Sequence, residues 1–272
     1  MAALIQVVPH KPLSPPRRHA STSATLLQVE FDAFVSPEDG GAEILSYHLQ
    51  YDDASSGAIW THLLGYDSDE TELSYSVTIS IQAGETYLFR YRAKNLMGWG
   101  EYSDELSLVA ASVPSAPDAV VTSNEEVDVR ISWTDSAYNG GSPLLYFRIL
   151  VKTADDTFEE DTEHCNGQDQ TTKANLFCLI PVETLIAEPF SLQAGELVVA
   201  TVEAYNIIGY SEPSPENEAG ADVRSIPSKP AGTVERVDSG TTDTQIVVTY
   251  ANFDTSPENG GSPLLSLNLY WD

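Results

Sequence analysis

The chain has 272 residues, and its 41 acidic and 13 basic residues give a formal net charge of −28. This acidity argues against nucleic acid and anionic lipid as partners, because both require a basic protein face. Hydrophobic residues make up 42% of the chain, which excludes wholesale disorder. No apolar run is long enough to cross a bilayer, and two cysteines are too few for a four-cysteine zinc site. We therefore expect folded domains and no membrane insertion.

The N-terminal segment 1–8 is mildly apolar and precedes a proline-rich stretch. It lacks the basic region and the long apolar core of a signal peptide. The segment precedes Pro9 much as Leu106–Val113 precedes Pro114. We therefore expect 1–8 to be the last strand of a preceding repeat, or a linker strand.

Three segments of the chain share an Asx-Gly-Gly core, and the cores begin at Asp39, Asn139 and Asn259. The spacings are thus 100 and 120 residues. Two further motifs recur with an offset of 111 residues, namely Gln-Ala-Gly-Glu at 82 and 193 and Asn-x-x-Gly at 95 and 206. An ordered series of motifs at this spacing indicates small domains in tandem.

Short runs between the glycine turns alternate apolar and polar residues, as in Leu27–Phe31, Tyr47–Tyr51, Val129–Trp133 and Phe147–Val151. A period of two with β-branched and aromatic residues is typical of half-buried strands. No stretch has the pattern of a capped amphipathic helix. The sequence therefore predicts an all-β fold of tandem antiparallel β-sandwiches.

The motifs resemble those of the fibronectin type III domain. Trp133 with Asn139–Leu144 is similar to that family's strand B and B–C loop, and Gly84–Tyr87 with Arg90–Gly98 is similar to its E–F corner, strand F and F–G turn. The resemblance implies immunoglobulin-like sandwiches, two complete and one partial. We assign 9–112 to domain 1, 113–223 to domain 2 with a cysteine-containing insertion, and 224–272 to a partial domain 3 that has only the first strands.

The resemblance also implies particular core aromatics. The strand B aromatic is Trp133 in domain 2, and Phe31 and Tyr250 take its place in domains 1 and 3. Tyr87 is the corner tyrosine of domain 1. Domain 2 has Val198 at the corresponding position, so we expect one side-chain hydrogen bond to be missing there.

Cys165 and Cys178 lie in the insertion of domain 2 and enclose a polar loop. Two cysteines around a surface loop favour a structural disulfide in an oxidising compartment. Closure of a loop of this length would stabilise the folded chain by roughly 3 kcal/mol in the chain-entropy model. Two free thiols in a cytosolic repeat protein are the alternative. His164 is adjacent, but no third group that would orient it is visible, so we predict no catalytic cysteine.

Acidic residues crowd the start of this insertion and one loop of domain 1. Carboxylates can ligate calcium, but no EF-hand loop is present and no ligand spacing repeats. A solvated acidic surface is therefore favoured, and we predict no cofactor, with calcium at these loops as a weaker alternative. The five histidines are scattered without ligand spacing, at positions 10, 19, 48, 62 and 164. Two of them, including His48, fall at strand positions and are expected at the surface. Trp60 and Trp99 are compatible with exposed loops.

The sequence predicts a non-catalytic structural or adhesive repeat protein of a cell surface or an extracellular fibre. Its partners are expected to be proteins, through self-association or neighbouring repeats. The alternatives are a spacer or binding module of a larger secreted enzyme, and a segment of an intracellular titin-like scaffold. A further hypothesis is head-to-tail assembly, in which segment 1–8 of one protomer completes the open third sandwich of the next. Truncation of a longer protein is its alternative.

Overall fold

The computed structural model of the chain describes residues 5–230, 232–251, 254–255 and 258–270. The chain divides into two compact units. The first contains the described residues up to Pro114 together with 138–144 and 206–209. The second contains 115–137, 145–205 and the described residues from 210 onward.

The first sandwich consists of two antiparallel sheets. One sheet has the order β1-β2-β5, and the other has the order β4-β3-β6-β7, with β8 also paired to β6. The strands are β1 Arg17–Arg18, β2 Leu27–Glu30, β3 Ser46–Tyr51, β4 Thr61–Leu64, β5 Ser74–Val77, β6 Thr86–Asn95, β7 Gly98–Trp99 and β8 Leu106–Val109.

Alternation of side chains along the strands creates the core of this sandwich. In β6 every second residue is buried, so one face of the strand packs inward and the other carries charged residues. Phe31 is 3% exposed, and its ring lies with its centroid 4.5 Å from that of Tyr91 and 5.6 Å from that of Tyr47. Tyr87 is 1% exposed. Aromatic side chains of this size contribute a large share of core burial.

The second sandwich repeats this arrangement with sheets β13-β10-β9 and β12-β11-β14. Trp133, directly after β10, is 6% exposed and its ring centroid lies 5.7 Å from that of Phe147. The elements are β9 Val121–Glu125, β10 Asp128–Ser132, β11 Tyr146–Lys152, β12 Phe158–Glu159, α1 Gln170–Asn175, β13 Phe177–Pro181, α2 Val182–Ile186 and β14 Ala200–Tyr205. The predicted all-β sandwich fold is confirmed.

Two short helices are an addition that hydrophobic periodicity does not reveal. The first, α1, has only six residues and buries none of them, so it leaves no amphipathic pattern. Its signal is local, because the Asp169 carboxylate accepts hydrogen bonds from the backbone N–H groups of Thr171 and Thr172. Leu176 ends the helix in the left-handed conformation at φ 57°.

The disulfide between Cys165 and Cys178 is present, with their Cα atoms 5.0 Å apart and both residues buried. Cys178 belongs to β13 of one sheet. Beyond Cys165, the carbonyl oxygen of Gly167 accepts a hydrogen bond of 3.2 Å from the backbone N–H of Phe147, in β11 of the other sheet. The insertion therefore connects the two sheets of this sandwich.

The third repeat contributes the antiparallel pair β15 Glu235–Arg236 and β16 Val248–Thr249. Tyr250 follows this pair and is 53% exposed, so its prediction as a core aromatic is wrong for this structure. A strand B aromatic is buried by the second sheet of a sandwich, and among the described residues of this repeat β15 and β16 form one two-stranded sheet only.

Candidate functional site

The insertion of the second sandwich brings two reactive side chains, His164 and Asp161, into contact. The Nδ1 atom of His164 lies 2.9 Å from Oδ2 of Asp161, and Oδ1 of the same carboxylate accepts hydrogen bonds from the backbone N–H groups of Glu163 and His164. Within the described ranges, no group of three or more His, Cys, Asp or Glu side chains is placed to hold a metal ion. No helix in that part of the chain is both long and apolar enough to cross a membrane. The features that recur or cluster are hydrogen-bonded linker loops and a face of aromatic and cationic side chains.

The Asx-Gly-Gly loops hold the chain that enters each repeat. In the first repeat, the backbone N–H of Val7 donates to the carbonyl oxygen of Gly40 at 3.0 Å. The side-chain Nδ2 of Asn95 donates both to the carbonyl oxygen of Val7 at 2.7 Å and to that of Asp39 at 2.8 Å. We call this set of Val7, Asp39, Gly40 and Asn95 the first linker clamp.

The second linker clamp has the same bonds, within the first compact unit. The N–H of Ser112 donates to the carbonyl oxygen of Gly140 at 2.8 Å. Asn206 Nδ2 donates to the carbonyl oxygens of Ser112 and Asn139 at 2.8 and 2.9 Å. A third example, in the second unit, starts in the same way with a bond of 2.9 Å from Ser225 N–H to Gly260 O.

The two clamp asparagines use their amide groups fully. Asn95 and Asn206 are 1% and 0% exposed. Besides the two donated bonds, the Oδ1 atom of Asn95 accepts from the N–H of Met97, and that of Asn206 accepts from the N–H of Ile208, each at 2.8 Å. A carboxylate of the same shape could supply the acceptor but neither donor.

The glycine after each Asx residue is required by space and by backbone conformation. Gly40, Gly140 and Gly260 have φ of +70°, +76° and +70°, a region that side chains disfavour. A Cβ atom at these positions would overlap with the carbonyl oxygens of Val7, Ser112 and Ser225 respectively. The Asx-Gly-Gly motif therefore recurs because the clamp requires glycine at this position.

The E–F corner differs between the two sandwiches in a way that corrects one expectation. In the first, the N–H of Gln82 donates to the Tyr87 hydroxyl oxygen at 2.9 Å. The second has Val198 in place of the tyrosine, yet the N–H of Gln193 donates to the Glu196 carboxylate at 2.7 Å. The side-chain hydrogen bond is thus replaced rather than missing, because a side chain three residues on satisfies the same donor.

One sheet of the first sandwich carries an alternating stack of rings and cations, which we call the aromatic–cation face. The Arg90 guanidinium lies 3.7 Å from the Trp60 ring centroid and 4.4 Å from that of Tyr102. Arg92 lies 4.4 Å from the Tyr102 centroid and 4.9 Å from that of Trp99. Lys94 extends the series at 5.7 Å from Trp99. These distances are those of cation–π contacts.

His48 lies beneath this stack and is 0% exposed, which contradicts its expected place at the surface. Its Nδ1 accepts from Arg92 Nε at 3.3 Å and lies 3.1 Å from the Tyr102 hydroxyl oxygen. Its Nε2 therefore carries the proton and donates to Nδ1 of His62 at 2.8 Å. Burial, followed by the charges of Arg92, His62 and Arg90, lowers the pKa of His48 to about 4.

The covering residues come from separate segments. Trp60 precedes β4 and Trp99 belongs to β7, and both are half-buried rather than exposed on loops. His62 is exposed and stacks on Tyr66 with ring centroids 3.6 Å apart. The signal in the sequence was the alternation of Arg90, Arg92 and Lys94 along one strand, which places three cations on one face.

The corresponding face of the second sandwich has a different composition. In β11 and β14 the cross-strand partners are Arg148 and Glu203, which form an ion pair with Arg148 Nε 2.6 Å from the Glu203 carboxylate. The Arg148 guanidinium also lies 4.2 Å from the Tyr210 ring centroid. The second sandwich therefore has an aromatic–cation contact between Arg148 and Tyr210, but the charge of Arg148 is offset by Glu203.

Comparisons with known proteins give several partial relatives, and no family model matches the chain. Protein sidekick-1 of Gallus gallus is 27% identical over 208 residues, which is 73% of this chain and 8% of that protein. M-protein of Gallus gallus striated muscle is 27% identical over 147 residues, or 52% of this chain and 9% of that protein. The chain therefore spans less than a tenth of the length of these curated relatives.

A titin homolog of Caenorhabditis elegans is 28% identical over 153 residues, which is 55% of this chain and 1% of that protein. Among solved structures, the FN1-FN3 domains of chicken CNTN1 align with a TM-score of 0.42 and 14% identity, covering 78% of this chain and 66% of that one.

The two-sheet sandwiches and the loops that recur with them define a class of tandem β-sandwich proteins. The predicted resemblance to tandem fibronectin type III domains is confirmed as a resemblance, and the all-β sandwich fold is shown.

Proposed function

We propose that the chain is a non-catalytic structural or adhesive repeat segment of a cell-surface or extracellular fibre protein. The observation that carries the proposal is the linker clamp. The same backbone contact holds the incoming chain at Val7, Ser112 and Ser225. A device that fixes the linker at every repeat serves a protein whose task is to hold its domains in series.

The clamp proposal is tested by pulling the full chain from its two termini in a single-molecule force experiment. We expect separate unfolding events for the sandwiches, and a lower rupture force for the first compact unit in Asn206→Ala. Asn175→Ala is the matched control, because Asn175 is an exposed residue of α1. Equal rupture forces in the variant, the control and the unchanged chain would overturn the role of the clamp.

An extracellular location is supported by the disulfide, since such bonds persist in oxidising compartments. The chain is similar both to sidekick-1 and to a striated-muscle M-protein. The redox state of Cys165 and Cys178 distinguishes the extracellular proposal from the intracellular alternative. The test is the intact mass of protein from its native source after alkylation, with and without reductant. Alkylation only after reduction supports the extracellular proposal. Complete alkylation without reductant would contradict it and favour a titin-like scaffold.

A finer proposal concerns assembly, in which protomers join head-to-tail by strand exchange. Val7 occupies the clamp position that Ser112 occupies after β8, so 1–4 match the positions of β8; these four residues lie outside the described part. Light scattering of the full chain across concentration tests this. Growth of particle mass that is lost when residues 1–4 are deleted supports strand exchange, and a strictly monomeric full chain overturns it.

A further inference from the structure

We infer that the aromatic–cation face of the first sandwich binds an acidic segment, Asp155–Glu163, of a second copy of this chain. This inference deepens the proposed function, since it names a partner for a repeat protein that acts through other proteins. It starts from a difference between the two sandwiches.

The aromatic–cation face is not a requirement of the fold. The two sandwiches share the linker clamp and the pairing of the two central strands of this sheet. Yet β6 carries Arg90, Arg92 and Lys94, whereas β14 carries no basic residue. A strand can therefore form at this place without cations. Lys94 forms an ion pair of 2.9 Å with Asp69, so Arg90 and Arg92 are the cations of this strand that have no acidic partner among the described residues.

The guanidinium groups are fixed in position but retain donors. Arg90 Nε donates to the Gln50 side-chain oxygen at 3.0 Å and Arg92 Nε donates to His48. Among the described residues no hydrogen bond is formed by their Nη atoms, and none of these atoms is buried without a partner. Stacked rings restrict each guanidinium plane, so less side-chain entropy is lost when the Nη edge binds a carboxylate.

The acidic segment supplies the complementary charge. Six of the nine residues from Asp155 to Glu163 are acidic, and the side chains of Asp155, Asp156, Glu159 and Glu163 are exposed. The segment includes β12, a two-residue strand at the edge of its sheet. Glu159 lies in this strand, whereas Asp155, Asp156 and Glu163 lie in the segments on either side of it.

The occupant is a protein segment rather than a diffuse anion because rings and cations alternate on this face. Trp60, Tyr102 and Trp99 offer apolar surface between the charges, and Phe158 lies between the acidic pairs of the segment. Because the net charge of −28 makes copies repel one another, the association is expected to be weak and to depend on local contacts.

The first test uses a labelled synthetic peptide of residues 155–163 as the probe and follows its fluorescence anisotropy with the full chain at low salt. We expect Arg90→Gln with Arg92→Gln to weaken binding by about tenfold or more. Arg130→Gln with Arg236→Gln is the control, since it removes the same charge elsewhere. Arg130 also lies over a ring, that of Phe177 at 3.5 Å. Equal weakening by both pairs, or no binding at low salt, would overturn the inference.

Two further measurements keep the test decisive. If the double arginine variant fails to fold, the single variant Arg90→Gln replaces it, with an expected loss of severalfold. In sedimentation of the full chain, Glu159→Gln with Glu163→Gln should reduce self-association, whereas Asp238→Asn with Asp243→Asn should not. Failure here would leave the clamp and redox tests unaffected, so it is distinguishable from failure of the proposed function.

Discussion

The side-chain amide of Asn206 donates a hydrogen bond of 2.8 Å to the carbonyl oxygen of Ser112, 94 residues earlier in the chain. The same relationship joins Asn95 and Val7 at 2.7 Å across 88 residues. A short-range turn residue thus fixes a distant linker.

Replacing Asn206 by aspartate tests this contact with almost no change of shape. The carboxylate has no N–H to donate and faces two carbonyl oxygens in a buried site, so we expect the free energy of unfolding of the first compact unit to fall by about 2–3 kcal/mol. Urea denaturation measures the change. Asn175→Asp on the exposed helix α1 should alter stability by less than about 0.5 kcal/mol, and a similar loss in both variants would refute a specific role for Asn206.

Gly140→Ala tests the close approach of the clamp loop to the linker. The change meets two costs, the left-handed φ of +76° and overlap of the new methyl group with the Ser112 carbonyl oxygen. Gly57→Ala is the matched control, because φ is +79° there but the nearest atom to a new Cβ is a Leu88 methyl carbon at 3.7 Å. We expect about 1 kcal/mol of destabilisation for the control and at least twice that for Gly140→Ala in thermal denaturation. Equal destabilisation by the two substitutions would show that the linker shifts to make room for the new methyl group.

His48 is expected to make the first sandwich sensitive to acid. Its pKa is about 4 in the folded chain, below the usual histidine value of 6.5. As pH falls through 6.5, His48 gains a proton in the unfolded chain but not in the folded one. The stability that neutral His48 contributes is therefore complete above pH 6.5 and is lost progressively toward pH 4. From pH 7 to pH 5 the loss is about 2 kcal/mol.

The groups that face His48 are Arg92 and Arg90 of β6, His62 of β4 and the Tyr102 hydroxyl. Chemical denaturation at pH 7 and pH 5 should show a smaller difference for His48→Gln than for the unchanged chain. His19→Gln serves as the control. A pH dependence unaltered by His48→Gln would show that other groups carry the acid sensitivity.

Loss of the disulfide is expected to loosen the second sandwich. The bridge spans 13 residues, and a loop of that length corresponds to roughly 3 kcal/mol in the chain-entropy model. Cys165→Ser with Cys178→Ser should lower the denaturation midpoint of the second unit and speed amide exchange at Phe147, whose N–H bonds to Gly167 of the enclosed loop. Unchanged exchange at Phe147 would show that the loop packs without its bridge.

Much of the fold could be predicted because turns and strand alternation leave local signals. The Asx-Gly-Gly loops, the corner tyrosine and the two-residue period of β6 are all visible in the sequence. The burial of His48 is not, because alternation assigns it to the outer face and its cover comes from Tyr66, Trp99 and Tyr102, which are distant along the chain. The role of Glu196 is not visible in the sequence either, because the bond from the Gln193 N–H to its carboxylate depends on the fold of the turn.

The hydrogen bonds of the first two linker clamps engage main-chain atoms of the incoming chain. At the held position the chain has valine in one case and serine in the other two, with the same N–H and carbonyl groups engaged in the first two clamps. The preceding domain therefore needs no matching side chain. Whole domains can therefore be duplicated, deleted or exchanged in the gene while the same hydrogen bonds form at each linker. Arrays of different length can arise without further substitutions at the linkers.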